Sequence, residues 1–176
     1  LAEEYRAIRT GLLAKWEHRR HLVTTITSAT PQEGKTITSL NLGMIFAELR
    51  NRKTLVIEAD LRLPQFNKLL GLPASHGLVG VLQGDAQLED AVQVVGPHGL
   101  NVLTAGRHGS VQAVQLLSSP AMATLLKAAR RQYDHIIIDT PPVVELSDAG
   151  IIGALSDDVI LIARMDRTPT SLIEQA

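Results

Sequence analysis

Short, nearly unbroken apolar runs divide the chain, and each has the length of a β-strand. The clearest are residues 22–27, 54–57, 136–138 and 159–163, and a weaker one is 101–103. These runs lack the alternation of apolar and polar positions that a half-exposed strand shows, so they predict strands buried on both faces. Such burial is typical of a parallel sheet with helices on either side.

Between these runs, apolar residues recur at steps of three and four, which predicts helices. The predicted helices are residues 2–17, 36–50, 66–70, two short ones within 77–92, 120–131 and 149–155. Asp148 is expected to cap the last of these. Because strands and helices alternate, the chain predicts an α/β fold with a doubly wound, mostly parallel sheet flanked by helices.

Composition limits the possible functions. With 176 residues, 45% of them hydrophobic and 3% aromatic, the chain can build one aliphatic core. A formal net charge of −1 provides no basic surface for nucleic acid. The chain has no cysteine, no signal peptide and no apolar run near the roughly 18 to 20 residues that span a bilayer. We expect a soluble, cytoplasmic domain, and a truncated C-terminus, since a helix that opens at residues 168–170 only begins.

The segment Ser28–Thr36 follows the first predicted strand, precedes a helix and ends in Gly34, Lys35 and Thr36. A strand, a loop and a helix in this order direct backbone N–H groups at phosphates near the helix N-terminus. Lys35 would reach the β- and γ-phosphates, and the Thr36 hydroxyl would ligate Mg²⁺. The residues expected to surround the nucleotide are Thr30, Pro31, Gln32, Glu33, Gly34, Lys35, Thr36 and Ile37.

One position of this loop departs from the usual pattern, which begins with glycine. Ala29 stands there, and its small side chain can still fill the position. The simpler interpretation of the segment is a polar turn that caps a helix. The preceding strand, the spacing and the following helix together favour the phosphate-binding loop.

Charged residues end two other predicted strands. Glu58, Asp60 and Arg62 follow the second run, and Asp139 follows the run of three isoleucines. The carboxyl ends of parallel strands form the edge at which α/β sheets bind ligands. Beside a triphosphate, Glu58 and Asp60 could hold Mg²⁺ or accept a proton, and Arg62 could stabilise charge. Asp139 could contact the metal, although each motif alone is equally typical of a solvated strand end.

The first predicted helix carries an apolar stripe and a charged face. The stripe is formed by Tyr5, Ile8, Leu12 and Trp16. Glu3, Arg6 and Arg9 recur at steps of three on a neighbouring face. Considered alone, they indicate a solvated face with an ordinary intrahelical Glu–Arg pair.

In this order, the motifs resemble the cytoplasmic kinase domain of bacterial tyrosine kinases, the capsular-exopolysaccharide or polysaccharide co-polymerase family. Residues 28–36 are similar to the family's Walker A loop, residues 55–64 to its Walker A′ motif and residues 136–142 to its Walker B motif. Glu3, Arg6 and Arg9 match its Glu-x-x-Arg-x-x-Arg pattern, which mediates ring assembly in the family.

The resemblance implies a P-loop NTPase architecture of the deviant-Walker type, with residues 1–20 as an oligomerisation helix and residues 21–176 as the kinase domain. It implies ATP and Mg²⁺ as cofactors. The implied catalytic residues are Lys35, Glu58, Asp60, Arg62 and Asp139, and the implied metal-site residues are Thr36, Asp60 and Asp139. It also implies a homo-oligomeric ring, a membrane-spanning chain-length regulator as partner, and tethering at the inner face of the cell membrane.

The implied function is an ATP-dependent protein-tyrosine autokinase that regulates exopolysaccharide synthesis and export. Three features differ from the family: Glu58 replaces an aspartate, residues 111–113 replace a Pro-Asn-Pro-like segment that members often carry, and the C-terminal tyrosine cluster is missing. Tyr5 and Tyr133 are the only tyrosines. An ATP-binding assembly switch with little kinase activity is therefore the alternative. A partition-type ATPase is disfavoured, because that class places an extra lysine where this chain has Thr30.

Overall fold

One mixed sheet organises the part of the chain that the structure describes. The computed structural model describes residues 1–16, 19–73, 75–106, 113–144 and 146–176. Within them the strands are β1 (Leu22–Ser28), β2 (Thr54–Glu58), β3 (Gln93–Val95), β4 (Leu100–Leu103), β5 (His135–Asp139) and β6 (Asp158–Ile162). The helices are α1 (Ala2–Lys15), α2 (Lys35–Ala47), α3 (Phe66–Leu70), α4 (Gly77–Gln83), α5 (Leu88–Ala91), α6 (Ala113–Leu117), α7 (Pro120–Ala129), α8 (Asp148–Gly153) and α9 (Thr170–Gln175).

The strand order across the sheet is β3-β4-β2-β5-β1-β6, and every pair except β3 with β4 is parallel. This arrangement confirms the predicted α/β fold with a mostly parallel sheet flanked by helices. The antiparallel edge strand β3 was not predicted. It has three residues and pairs on one side only, so it lacks the long apolar run that identified the central strands.

The core lies on both faces of the sheet. All seven residues of β1 and all five of β5 are buried, as the unbroken apolar runs predicted. Gly43 of α2 faces β2 so closely that a Cβ atom built on it would lie 2.3 Å from Cγ2 of Val56. A side chain at that position would push α2 off the sheet, so the glycine sets the distance between them.

Helix α1 lies against α2 through one apolar face. Tyr5, Leu12 and Leu13 pack on the core, and Trp16 beyond the helix end is 2% exposed. The predicted stripe was wrong at Ile8, which is 48% exposed. Successive residues turn by about 100° around a helix, and the buried face is centred towards Leu13, which leaves Ile8 on its far flank. Residue 17, to which the helix was predicted to extend, lies outside the described residues.

The predicted helices near residues 66–70, 120–131 and 149–155 are confirmed as α3, α7 and α8, with ends that differ by up to two residues. Gly71 ends α3 in the left-handed region at φ 64°, which a glycine adopts without strain. Among the residues that the structure describes, no helix has both the length and the apolar character needed to cross a bilayer.

Candidate active site

The predicted phosphate-binding loop connects β1 to α2, which begins at Lys35. Gly34 precedes the helix with φ 96°, and Gln32 also has a positive φ of 64°. The Glu33 side chain stabilises this loop from within, because one of its oxygens accepts the Thr30 N–H at 3.0 Å. Its other oxygen accepts the Thr168 hydroxyl. Burial opposes ionisation of Glu33, but these hydrogen bonds outweigh it and lower the pKa of the carboxyl below its usual value.

A shallow cleft of about 290 Å³ opens beside this loop. Its lining consists of Gln32, Gly34, Lys35, Thr36, Ile37, Gln65 and Leu69. Five of the residues predicted to surround the nucleotide therefore line the cleft, while Thr30, Pro31 and Glu33 belong to the loop behind it. Two lining residues were not predicted: Gln65, which immediately precedes α3, and Leu69, which lies within it. Nothing in the local sequence shows that α3 folds back towards the loop.

Lys35 and Asp60 form an ion pair at the carboxyl edge of the sheet. The Lys35 Nζ atom donates to Oδ2 of Asp60 at 3.2 Å, and the two side chains are 12% and 8% exposed. The other carboxylate oxygen of Asp60 accepts the Leu63 N–H at 3.1 Å. The phosphate-loop lysine and the second acidic residue of the β2 motif thus meet at the carboxyl edge of the sheet, although β5 lies between β1 and β2.

Asp139 ends β5 between β1 and β2, paired in register with Ile26 and Glu58. Its Oδ1 atom accepts a hydrogen bond from the Ser39 hydroxyl at 3.1 Å. Burial is the main reason that the pKa of Asp139 is raised to about 7, against the opposing effect of Lys35 and the hydroxyls. Ser39 was not predicted, although it stands one helical turn after Lys35 on the face of α2 that meets the sheet.

The donor set at this edge fits a magnesium ion. The Oδ2 atom of Asp139 is buried and has no hydrogen-bond partner among the described residues. A buried carboxylate oxygen without a partner is costly unless a cation or a donor approaches it. The Thr36 hydroxyl and the carboxylate of Asp60 supply the hard oxygen ligands that Mg²⁺ prefers. The structure therefore brings together the three residues that were predicted to hold the metal.

Glu58 occupies a different position from the one its predicted role required. Its side chain is fully buried, and both oxygens accept backbone N–H groups. One oxygen accepts Gln65 and, at 2.7 Å, Phe66, and the other accepts Ala105 at 2.9 Å. Burial raises the pKa of this carboxyl despite the three donors. With both oxygens engaged, Glu58 is not available to a metal ion or an acceptor hydroxyl in this conformation.

Arg62 extends from the same motif and pairs with a residue of α8. Its Nε atom donates to Oδ2 of Asp148 at 3.0 Å, while the arginine side chain remains 44% exposed and the carboxyl is buried. The prediction that Asp148 caps α8 was wrong, because Ser147 occupies the cap position and Asp148 lies inside the helix. The carboxyl instead holds Arg62 at the site, a contact between residues 86 positions apart that local sequence does not indicate.

The predicted charged face of α1, formed by Glu3, Arg6 and Arg9, does not lie at this site. Arg6 donates two hydrogen bonds to Glu48 at 3.0 and 2.8 Å and also contacts Glu3. Arg9 donates to Glu48 at 3.2 Å and to the carbonyl oxygen of Ile45. Glu48 follows α2, so both arginines fasten α1 to the domain within one chain.

Comparison with known proteins is consistent with this arrangement. The AAA domain family matches residues 32–172. The tyrosine-protein kinase YwqD of Bacillus subtilis is 38% identical over 167 residues, which are 95% of this chain and 70% of that protein. The succinoglycan biosynthesis transport protein ExoP of Rhizobium meliloti is 33% identical over 153 residues, 86% of this chain and 19% of that protein.

Solved structures give the same result. The kinase domain of the Escherichia coli tyrosine kinase ETK has a TM-score of 0.92 at 33% identity, covering 99% of this chain and 68% of that one. The septum site-determining protein MinD of Pyrococcus horikoshii, solved with Mg-ADP, has a TM-score of 0.69 at 26% identity, covering 81% of this chain and 57% of that one. The chain spans only 22% of the tyrosine-protein kinase etk of Escherichia coli, so it corresponds to one part of such proteins.

Proposed function

Because this chain belongs to the bacterial tyrosine kinases, we propose that it binds ATP with Mg²⁺ and transfers the γ-phosphoryl group to tyrosine. The observation that carries the proposal is the meeting of Lys35, Asp60 and Asp139 at one edge of the sheet, beside the phosphate-binding loop. These residues come from three segments of the chain. A structural ion pair would account for Lys35 and Asp60, but it would leave the unpartnered oxygen of Asp139 unexplained.

The loop and α2 would bind the phosphates. Backbone N–H groups of the loop and of the first turn of α2 would surround the phosphates, and Lys35 would exchange its contact with Asp60 for the β- and γ-phosphates. Thr36, Asp60 and Asp139 would hold Mg²⁺, which supplies charge neutralisation on the phosphate oxygens when bound. Ser39 orients the Asp139 carboxyl through the 3.1 Å contact with its Oδ1 atom.

Phosphoryl transfer needs an in-line acceptor and a place for its proton. The tyrosine hydroxyl oxygen attacks the γ-phosphorus, the bond to the β–γ bridging oxygen breaks, and ADP leaves with that oxygen. Asp60 is the group that we assign to receive the hydroxyl proton, because Glu58 has both oxygens bound to backbone N–H groups. Arg62, held by Asp148 and still partly exposed, adds positive charge where negative charge develops.

The acceptor tyrosine would belong to a segment outside these 176 residues, presented by a neighbouring subunit. Tyr133 is buried, and the hydroxyl of Tyr5 lies 3.4 Å from that of Thr38 on α2. We propose transfer within a homo-oligomeric ring, with residues 1–20 as the assembly helix and residues 21–176 as the kinase domain.

Within this proposal, the kinase regulates exopolysaccharide synthesis and export, as the name of the ExoP relative suggests for that protein. Its partner would be a membrane-spanning chain-length regulator, which would hold this domain at the inner face of the membrane. The alternative, an ATP-dependent assembly switch, shares the site and differs in transferring little phosphate.

One experiment tests the reaction itself. The full-length protein is incubated with γ-labelled ATP and Mg²⁺ beside the variants Lys35→Met and Asp60→Ala, and Asp85→Ala serves as an exposed control. We expect label on tyrosine in the wild type and the control, and loss of about a hundredfold or more in the two site variants. Tight ATP binding without label or free phosphate would support the switch instead. Absence of ATP binding would contradict both functions.

A further inference from the structure

A second cavity, of about 840 Å³, lies at the opposite end of the sheet from the proposed active site. It opens where β2 begins at Thr54, whereas the active site lies beyond the last residue of that strand. Four residue steps of about 3.3 Å separate the two ends, so the sites are at least about 13 Å apart along the strand. The volume falls within the range of small-molecule sites. Nothing in the proposed kinase reaction uses this cavity.

The lining of this rear cavity carries an excess of positive charge. Arg6, Arg50, Arg52 and Lys53 contribute cations, and Glu48 is the carboxylate among the lining residues. That carboxylate is already shared by Arg6 and by Arg9 outside the cavity. Hydrogen bonds and charge from Arg6 lower the pKa of Glu48 to about 2, so it stays ionised and engaged.

The remaining cations lack acidic partners. Among the described residues, no carboxylate lies within salt-bridge distance of Arg50, Arg52 or Lys53. Arg52 instead lies 3.2 Å from Nε2 of His135. Burial and the charge of Arg52 lower the pKa of His135 to about 4, so the ring is neutral near pH 7 and does not balance the guanidinium.

A buried hydroxyl at the base of this cavity is also unpaired. Thr54 lines the cavity and is 2% exposed, yet its Oγ1 atom has no hydrogen-bond partner among the described residues. A buried hydroxyl without a partner is destabilising, and a methyl group of the same shape would avoid the cost. Because the oxygen atom itself is shielded from the cavity in this conformation, a ligand would reach it only after the Thr54 side chain rotates.

We propose that this cavity binds a small soluble anion with two or more phosphate groups, held by Arg50, Arg52, Lys53 and the Thr54 hydroxyl. Guanidinium groups match phosphate oxygens in geometry and charge, and the cavity offers two or three of them beside an ammonium group. A concave site with a buried hydroxyl at its base fits a free anion better than the phosphate layer of a flat membrane surface.

The test is a calorimetric titration of the full chain with sodium pyrophosphate, at constant ionic strength and without Mg²⁺. It uses the Lys35→Met background, so that binding at the kinase site does not obscure the rear cavity. We expect saturable binding with a Kd below about 1 mM. Adding Arg52→Gln with Lys53→Gln should weaken it at least about tenfold, because two charge-assisted contacts are lost. Adding Lys68→Gln with Lys127→Gln, two exposed lysines outside the cavity, should change it less than about twofold.

The Thr54→Val variant distinguishes specific binding in the cavity from general electrostatic attraction. The substitution keeps the shape and charge of the cavity, so we expect a Kd several times higher while the thermal midpoint without ligand is unchanged or higher. Pyrophosphate that does not bind, or that binds equally well to the charge variants and their control, would overturn the proposal. Unaltered affinity in Thr54→Val would overturn the assignment of the hydroxyl. None of these outcomes depends on tyrosine phosphorylation.

Discussion

The ammonium group of Lys35 lies 3.2 Å from the carboxylate of Asp60, so the phosphate-loop lysine is paired with the second acidic residue of the β2 motif. The pair keeps the lysine side chain extended across the mouth of the loop at 12% exposure. In the proposed reaction, incoming phosphates would displace Asp60 from Lys35, which would free one carboxylate oxygen for the metal and the acceptor. The two residues would then be coupled through nucleotide binding.

Replacing Asp60 by Asn should separate binding from transfer. The variant removes the competitor for Lys35, so we expect ATP affinity in EDTA to be unchanged or up to about tenfold higher. Transfer should fall by about a hundredfold or more, because the proton acceptor and a metal ligand are lost. Equilibrium titration with a fluorescent ATP analogue and the initial rate of tyrosine labelling measure the two effects. Asp85→Asn is the exposed control, and weaker ATP binding in Asp60→Asn would contradict the coupling.

The second prediction concerns whether Glu58 is a structural anchor or the catalytic base. As an anchor, it ties the start of α3 and Ala105 to the end of β2 through both oxygens. Glu58→Asp shortens the side chain by one methylene and cannot reach both sets of N–H groups, so it should cost about 2 kcal/mol of unfolding free energy. Glu58→Gln keeps the length, but its NH2 group can only donate, so one set of N–H groups loses its acceptor and the cost should be similar.

The kinase activity of the same two variants distinguishes an anchor from a base. If Glu58 were the base, Glu58→Gln would lose transfer by about a hundredfold or more and Glu58→Asp would retain it. We expect the reverse order, with Glu58→Gln retaining most of its kcat below the unfolding transition. Urea unfolding and kcat at saturating ATP, measured on the same preparations, decide between the two orders.

The sequence predicted those parts of the fold and site that depend on local pattern. The phosphate loop could be recognised because strand, loop and helix are contiguous, and Asp60 and Asp139 because each directly follows an apolar strand. The antiparallel edge strand β3 and the exposure of Ile8 were missed, since both depend on neighbours that packing supplies.

The side-chain partners were harder to predict, because they are distant in sequence. Asp139 meets Ser39 across 100 positions, and Glu58 meets Ala105 across 47. Ser39 could have been recognised from the sequence, because it is a small polar residue on the sheet-facing side of α2. The sequence pattern around Glu58 was misleading, because a carboxylate at a strand end has the same pattern whether it points to a ligand or to backbone N–H groups.

The arginines of α1 yield a third prediction, now that both are known to bind Glu48 within the chain. Arg6→Ala with Arg9→Ala should shrink the assembly without lowering ATP affinity, because α1 would lose the groups proposed to contact a neighbour. Glu48→Gln removes the internal partner but keeps both arginines, so it should retain the assembly. Analytical ultracentrifugation with and without ATP measures both. Unchanged sedimentation of the arginine variant would leave Arg6 and Arg9 as an internal anchor of α1.

His135 makes the stability of the domain depend on pH. Its ring is buried between Trp16 and Phe46, with centroid distances of 5.8 and 4.5 Å. Burial and Arg52 lower its pKa from 6.5 to about 4, so the unfolded chain takes up a proton before the folded one does. The contribution of the neutral ring to stability is therefore complete above about pH 6.5 and is lost as the pH falls towards 4.

The raised pKa of Asp139 acts in the opposite direction. Its folded form takes up a proton near pH 7, before the unfolded chain does, so acidification relieves the cost of that buried charge. The wild-type curve alone is thus ambiguous, and the difference between wild type and His135→Gln isolates the histidine. Measured by urea unfolding, this difference in unfolding free energy should shrink by on the order of 3 kcal/mol as the pH falls from 7 to 4. If the two curves run parallel, His135 is not held neutral by its surroundings.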